Sequence, residues 1–211
     1  MTTAIIGTGG IGSAIAHLLA SGGESLRLSS ADSESARRLA AAIGPAAVAA
    51  DDNGTALDGA DAVVLALRFG VLQGVIDEIA ASIDDMLVVV PSNPVGVDAD
   101  GHLQRLLPEA QSSGAAIAGW LPAGARLAMA FGSMSGERFT ASSRRSPERA
   151  VLFYATDDDR ATAPVERLID VAGFAPVRIG GLDQSGRLEV GGDLHDRVVG
   201  IAEGRSLAGG A

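Results

Sequence analysis

The start of the chain constrains the fold more strongly than any other stretch. An apolar run, Thr3 to Ile6, leads into the pattern Gly7-x-Gly9-x-x-Gly12, and small residues typical of a helix follow directly. In such a strand–turn–helix, the first glycine permits a tight turn and the second lets the backbone approach a pyrophosphate. The third lets the helix lie close to the strand. The pattern predicts a dinucleotide-binding unit, and the alternative is an ordinary glycine-rich turn.

The predicted contacts to the nucleotide follow from the same stretch. Free N–H groups and the positive dipole end of the first helix would face the anionic pyrophosphate. We predict cofactor binding by the loop residues Gly7, Thr8, Gly9, Gly10, Ile11 and Gly12.

The end of the second predicted strand bears on the choice between NADP and NAD. An NAD site usually has an acidic residue there for the ribose 2′-hydroxyl, whereas this chain has Ser29 and Ser30. Two hydroxyls and Arg37, about two helical turns downstream, could bind a 2′-phosphate. We therefore predict NADP as the cofactor. NAD stays possible because Asp32 is nearby and Arg37 could belong to a solvated helix face.

Further apolar runs alternate with segments of helical period, and this order predicts the fold class. The run 62–67 is unbroken and apolar, which is typical of a strand buried on both faces of a parallel sheet. We predict an α/β, doubly wound, mostly parallel sheet: an NAD(P)-binding Rossmann fold in one domain, 1–211. Residues 1–146 would form its dinucleotide-binding core. Residues 147–211 would add a short C-terminal strand–helix–strand extension to the same sheet.

Several side chains follow predicted strands at the carboxyl edge, where open α/β sheets bind their ligands. We predict further cofactor contacts from Leu67, Arg68, Phe69, Asn93 and Pro94. Ser133 and Met134, after the sixth strand, would line the pocket of a second substrate. Two alternatives stay open, since Phe69 could be a core aromatic residue and Asn93 could lie in a simple chain stop.

Two other stretches are predicted from composition and spacing. A helix is expected over Leu103–Leu107, and the polar residues 135–146 suggest a mobile loop or flap. Asp98, Asp100 and His102 alternate in a way that could suggest a metal site. A surface acidic turn is far more common, so we predict no metal.

Composition excludes several classes of function. The formal net charge is −10 without a basic face, so nucleic acid is not an expected partner. The 16 basic residues are all arginine and cysteine is absent, which excludes lysine Schiff bases, thiolate catalysis and disulfides. No apolar run is long enough for a membrane helix and no basic leader precedes the first strand. We expect a cytoplasmic protein with no membrane partner.

Five features of the sequence point to one family: the glycine loop, the serine at the end of strand two, Asn93-Pro94, Ala130-Phe131 and the late segment 181–189. In these features the chain resembles the F420-dependent NADP reductases, the family of small NADPH:F420 oxidoreductases. The resemblance implies that Thr8, Gly9, Ile11 and Ser30 face NADP, and that a deazaflavin stacks above the nicotinamide. The chain departs from the family at Ala31, where an arginine is common, and at Gly132, where a polar residue is usual.

The resulting prediction is an NADPH-dependent reductase that transfers a hydride between NADP(H) and a deazaflavin (F420) or flavin-like acceptor. Hydride transfer needs close juxtaposition and exclusion of water, so no catalytic side chain is predicted. One alternative is an NAD(P)-dependent reductase of a small imine or carbonyl, and another is a non-catalytic NAD(P)-binding sensor. The expected partners are a small-molecule redox cofactor or substrate and, in a homodimer, a second copy of the chain.

Overall fold

The strands of the protein were located in a computed structural model, which describes residues 1–98 and 100–210. They are β1 (Thr2–Ile6), β2 (Ser25–Ser29), β3 (Ala47–Ala49), β4 (Ala62–Leu65), β5 (Leu87–Val90), β6 (Val95–Val97), β7 (Leu103–Arg105), β8 (Arg126–Ala130), β9 (Val151–Ala155) and β10 (Ala175–Arg178).

The helices connect these strands and cover both faces of the main sheet. They are α1 (Gly10–Ser21), α2 (Ser33–Ile43), α3 (Asn53–Leu57), α4 (Phe69–Ile79), α5 (Ser113–Ala118), α6 (Gly136–Ser142), α7 (Asp159–Val171) and α8 (Ile201–Ala208). Short 3₁₀ turns cover Ala80–Ser82 and Leu182–Leu188.

Eight strands form one sheet in the order β10-β9-β8-β5-β4-β1-β2-β3. All neighbours run parallel except β8 and β9, which are antiparallel. The order reverses between β1 and β4, and ligands bind in such sheets at this switch point, outside the carboxyl ends of the strands. The predicted α/β fold with a mostly parallel sheet is confirmed.

The core lies on both faces of this sheet because its central strands are apolar at successive positions. Ile5 packs with one buried cluster and Ile6 with the other, and Val63 and Val64 divide in the same way. Neighbouring side chains of a strand point to opposite faces, so an unbroken apolar run is buried twice. Strands β9 and β10 continue the sheet beyond β8.

The helix predicted over Leu103–Leu107 is wrong. Residues Leu103–Arg105 form strand β7, which pairs antiparallel with β6 in a separate hairpin. The hairpin turn explains the difference: an Oδ1 atom of Asp98 accepts hydrogen bonds from the backbone N–H of Asp100 and of His102 at 2.9 and 2.8 Å. This local carboxylate turn reverses the chain and directs it into a strand.

The loop or flap predicted over residues 135–146 is also wrong in part, because α6 occupies 136–142. The Ser135 hydroxyl caps its first turn by accepting from the N–H of Arg138 at 3.3 Å. Phe139 is fully buried, with its ring 6.0 Å from that of Phe131 and 5.9 Å from that of Phe174. A buried aromatic residue on a capped helix fixes this segment to the body of the protein.

Candidate functional site

The glycine loop between β1 and α1 is shaped by two very close backbone approaches. Gly7 has φ +102°, and a Cβ atom there would lie 2.3 Å from the carbonyl oxygen of Ala66. A Cβ atom on Gly12 would lie 1.9 Å from the carbonyl oxygen of Gly7. Only glycine fits at either position, so the sequence pattern is explained by the turn and by the contact between helix and strand.

Gly9 differs from Gly7 and Gly12 because it faces open space. A Cβ atom built on Gly9 would have no atom within 4 Å, and its φ of −69° is accessible to any residue. Packing within the protein therefore does not require glycine here. Gly9 is the N-cap of α1, whose first turn has no acidic residue and no side-chain cap. The N–H groups at this helix end remain available to an anion.

A cleft of ≈ 310 Å³ opens at the carboxyl edge of the sheet beside this helix end; we call it the edge cleft. It is lined by Gly9, Gly10, Ile11, Ala66, Leu67, Arg68, Phe69, Pro91, Ser92, Asn93 and Val95. The fold thus places the glycine loop and the ends of β4 and β5 around one cleft. Most of the cofactor residues that were predicted after these two strands line this cleft.

Arg68 is the only ionisable residue among those that line the edge cleft. It is exposed, and its guanidinium forms no ion pair or hydrogen bond within residues 1–98 and 100–210. Phe69 is 6% exposed and its ring lies 5.4 Å from that of Trp120, so it contributes to the core as well as to the cleft. The cleft lining therefore offers backbone N–H groups, apolar surface and one cation.

Asn93 is held by two other parts of the chain. Its Nδ2 donates to the carbonyl of Gly132 at 2.8 Å, and its Oδ1 accepts from the N–H of Val190 at 2.7 Å. The neighbouring Ser92 hydroxyl donates to the carbonyl of Leu67. The wall of the edge cleft formed by residues 91–93 is thereby fastened to the ends of β4 and β8 and to the late segment.

Replacing Asn93 with alanine should destabilise the protein because both hydrogen bonds are lost. We expect the free energy of unfolding to fall by about 1–2 kcal/mol, since the Gly132 carbonyl and the Val190 N–H can form hydrogen bonds with water in part. Urea unfolding would measure the change. Gln73→Ala, at an exposed amide on α4, is the control and should stay within about 0.5 kcal/mol of wild type. Equal midpoints for the two variants would contradict this prediction.

The residues predicted to select NADP lie in different environments. Ser29 is 2% exposed and its hydroxyl donates to Oδ1 of Asn53 at 2.6 Å, whereas Ser30 is half-buried just beyond the end of β2. The Thr8 hydroxyl donates to that of Ser35 at 2.9 Å. The Arg37 side chain is 55% exposed, and its nitrogens lie 3.7 Å from carboxylates of Glu34 and Asp51. Thr8 and Ser30 are half-buried and Arg37 is exposed, so these three groups are accessible from solvent, whereas Ser29 is not.

Of the site residues predicted after β4, β5 and β8, three do not line the edge cleft. Ser133 and Met134 are buried, Met134 packs in a core cluster, and the Ser133 carbonyl accepts from the N–H of Asp196 at 2.7 Å. Pro94 is buried at the base of the hairpin, and its carbonyl accepts from the N–H of Leu106 at 2.8 Å. These residues support neighbouring segments.

Four residues that line the edge cleft were not among the predicted site residues: Ala66, Pro91, Ser92 and Val95. Pro91 and Ser92 belong to the same Pro-Ser-Asn-Pro loop as Asn93, so their position in the chain was a usable signal. Val95 enters the cleft because it starts the β6–β7 hairpin, which sequence periodicity did not predict.

The titratable groups that could act as acids or bases are found away from the edge cleft. Burial, and then the Glu166 carboxylate that accepts its hydroxyl at 2.7 Å, raise the pKa of Tyr154 above its usual range. His195 uses Nδ1 in a 3.0 Å contact with the carbonyl of Leu188. Asp98 and His102 lie with Asp100 in the exposed hairpin turn, where their ligand atoms are within 4.8 Å of one another. The carboxylate of Asp98 already binds backbone N–H groups there.

None of the described helices is long and apolar enough to cross a membrane.

The fold and its glycine loop define an NAD(P)-binding Rossmann-type protein. Residues 2–94 match the family model described as NADP oxidoreductase, coenzyme F420-dependent, so the predicted resemblance is confirmed over this part of the chain. The match supports the coarser prediction, an NADP-dependent oxidoreductase.

Solved structures from several organisms share this fold. A hypothetical protein, SMa0349, from Sinorhizobium meliloti has 26% identity and a TM-score of 0.77, with 95% of this chain and 96% of that chain covered. A provisionally assigned F420-dependent NADP reductase from Arthrobacter sp. FB24 has 18% identity and a TM-score of 0.75, with 88% of this chain and 89% of that chain covered. An imine reductase from Bacillus cereus has 19% identity and a TM-score of 0.65, covering 90% of this chain and 57% of that one. Comparison with curated proteins gave no match.

Proposed function

We propose that the protein is an NADPH-dependent reductase that transfers a hydride between NADP(H) and a deazaflavin (F420) or a flavin-like acceptor. The observation that carries this proposal is the edge cleft, in which an open helix N-terminus faces the ends of β4 and β5. The family match over residues 2–94 supports the cofactor, and the description of that family suggests the acceptor.

The residues of the glycine loop would hold the dinucleotide. Gly9 and Gly10 offer backbone N–H groups to the pyrophosphate, and Ile11 offers apolar surface. Leu67, Phe69 and Asn93 would border the nicotinamide end because they follow β4 and β5.

The cleft lining would suit hydride transfer for two reasons. Its apolar walls can hold the nicotinamide ring and the acceptor ring side by side, and the reaction needs no acid or base from the lining residues. When bound, NADPH supplies a hydride from its nicotinamide ring to the acceptor. The task of the protein is then to juxtapose the two rings and to exclude water, which apolar walls can do. Arg68 would favour an anionic group at the rim, such as a phosphate of the cofactor or acceptor.

An absorbance assay tests the proposal. The purified protein is mixed with NADPH and oxidised F420, and the assay is repeated with NADH and with FMN. Loss of deazaflavin absorbance much faster with NADPH than with NADH is the expected result. Tight binding of NADPH without reduction of either acceptor would contradict the proposal and favour a non-catalytic sensor.

Ser30 and Arg37 are proposed to recognise the 2′-phosphate of NADP. The nearby hydroxyls of Ser29 and Thr8 are bound to Asn53 and Ser35. Arg37→Ala should raise the dissociation constant of NADPH by about 10-fold to 100-fold because a charge-assisted hydrogen bond is lost. Ser30→Asp should disfavour NADPH further through charge repulsion. NADH, measured by calorimetry on the same variants, is the internal control, since it lacks this phosphate. Equal losses for both nucleotides would contradict this assignment.

Reduction of a small imine or carbonyl is a second candidate, favoured by structural similarity to imine reductases and to reductive aminases such as that of Aspergillus terreus. The chain spans a little over half of the length of these enzymes. Such a reaction calls for a proton donor near the nicotinamide, and Arg68 is a poor acid. Turnover of a cyclic imine without reduction of F420 would favour this candidate.

The predicted homodimer and the cytoplasmic location stay proposals. Val97 and Leu103 lie on one face of the hairpin, 65% and 72% exposed, and exposed apolar side chains of this kind are suited to a second copy. Light scattering of the purified protein would measure the mass in solution, and the monomer mass at micromolar concentration would contradict a stable dimer.

A further inference from the structure

A second cavity, the inner cavity, lies behind the wall of the edge cleft. Its volume is ≈ 10 Å³, and Pro91, Ser92 and Asn93 line both spaces. The other residues that line it are Val90, Ser113, Met129, Ala130, Gly132, Ser185, Leu188 and Glu189. The space is about that of one water molecule.

The polar groups around the inner cavity are buried and mostly engaged. Glu189 is 4% exposed; its Oε2 accepts from Arg105 at 2.7 Å and its Oε1 from the N–H of Ser113 at 2.6 Å. The Ser185 hydroxyl accepts from the N–H of Gly114 at 2.9 Å. These contacts hold the start of α5 against the segment 182–189. The Glu189 carboxylate and the Ser185 hydroxyl keep further lone pairs, and the Ser185 hydroxyl hydrogen has no partner within residues 1–98 and 100–210.

The exception is the hydroxyl of Ser113. The residue is fully buried, and its Oγ has no hydrogen-bond partner among residues 1–98 and 100–210. A buried hydroxyl without a partner is costly, and native proteins commonly satisfy such a group with an ordered water. Serine at this position is therefore unexplained by contacts within the protein.

We propose that the inner cavity is a binding site for one ordered water molecule. The water accepts from or donates to the Ser113 hydroxyl and makes further hydrogen bonds with the Ser185 hydroxyl and the Glu189 carboxylate. Polar partners of this number and a space of this size are what a buried water needs. The water links the start of α5 to the segment 182–189, and the site is independent of the proposed hydride transfer.

The sign of the stability change in Ser113→Ala tests this site. If the hydroxyl binds a water, its removal costs a hydrogen bond, and the midpoint of thermal unfolding should fall by about 2–4 °C. If the hydroxyl has no partner, its removal relieves a desolvation cost and the midpoint should rise. Ser206→Ala is the control, because Ser206 is an exposed helical residue whose hydroxyl makes no hydrogen bond within residues 1–98 and 100–210. It corrects for the higher helix propensity of alanine.

A crystal structure of the wild-type protein at high resolution provides the second measurement. We expect electron density for a water within hydrogen-bond distance of Ser113 Oγ and of Glu189 or Ser185. Two results would overturn the proposal. One is an inner cavity without electron density for a water. The other is a thermal unfolding midpoint of Ser113→Ala that, after correction by the control, is at or above that of the wild-type protein.

Discussion

Replacing Gly12 with alanine is expected to have the largest effect of any single change in the glycine loop. The new Cβ atom would lie 1.9 Å from the carbonyl oxygen of Gly7 and 3.1 Å from the Cβ of Ala66. Neither neighbour is the end of a flexible side chain, so α1 must move away from β1. We expect a loss of about 3 kcal/mol or more in the free energy of unfolding, at the upper end of overpacking costs.

The same displacement should also weaken nucleotide binding. The N-terminus of α1 would no longer point its N–H groups at the same place in the edge cleft. We expect the dissociation constant of NADPH to rise by about 100-fold, equivalent to about 2.7 kcal/mol. Urea unfolding and calorimetry measure the two effects. A variant with wild-type stability and affinity would contradict the close packing of α1 on β1.

Gly9→Ala is expected to have a large effect on binding alone. In the free protein its Cβ atom meets nothing within 4 Å, and the backbone conformation suits alanine. Stability should change by less than about 1 kcal/mol, because the freedom that the unfolded chain loses offsets the lower preference of alanine for an N-cap position. The methyl group would occupy space that the pyrophosphate needs, so NADPH affinity should fall by about 10-fold to 100-fold.

Gly74→Ala is the matched control for the Gly9 variant. Gly74 is exposed within α4, away from the cleft lining, and a Cβ atom there also meets nothing within 4 Å. This control should gain about 0.5–1 kcal/mol and bind NADPH as wild type does. Unchanged NADPH affinity in Gly9→Ala would contradict the placement of the pyrophosphate at this glycine.

The alternation of strands and helices and the glycine turn could be predicted because their causes are local. Gly12 is fixed by its contact with Gly7 within one strand–turn–helix, and Gly7 by the positive φ of the turn. The run 62–67 is apolar at every position, as burial on both faces of the sheet requires. The hairpin was harder to predict. The hairpin depends on the Asp98 carboxylate, which closes the turn by accepting two backbone hydrogen bonds. The spacing of hydrophobic residues does not indicate such a turn.

The details of the site depend on contacts that are distant in sequence. Asn93 binds Gly132 and Val190, which are 39 and 97 residues away, and a single sequence does not reveal such pairs. Ser29 and Ser30 look equivalent in the sequence. Successive residues of a strand point in opposite directions, so Ser29 bonds to Asn53 beneath the edge while Ser30 stays partly open.

Following the transferred hydrogen tests the central claim most directly. NADPH carrying deuterium at nicotinamide C4, prepared as each of its two stereoisomers, would be incubated with the protein and F420, and the reduced F420 analysed by mass spectrometry. We predict that one stereoisomer delivers its deuterium to the deazaflavin without exchange with solvent, as direct hydride transfer between juxtaposed rings requires. Unlabelled reduced F420 from both stereoisomers, or no reduction despite tight NADPH binding, would contradict the account.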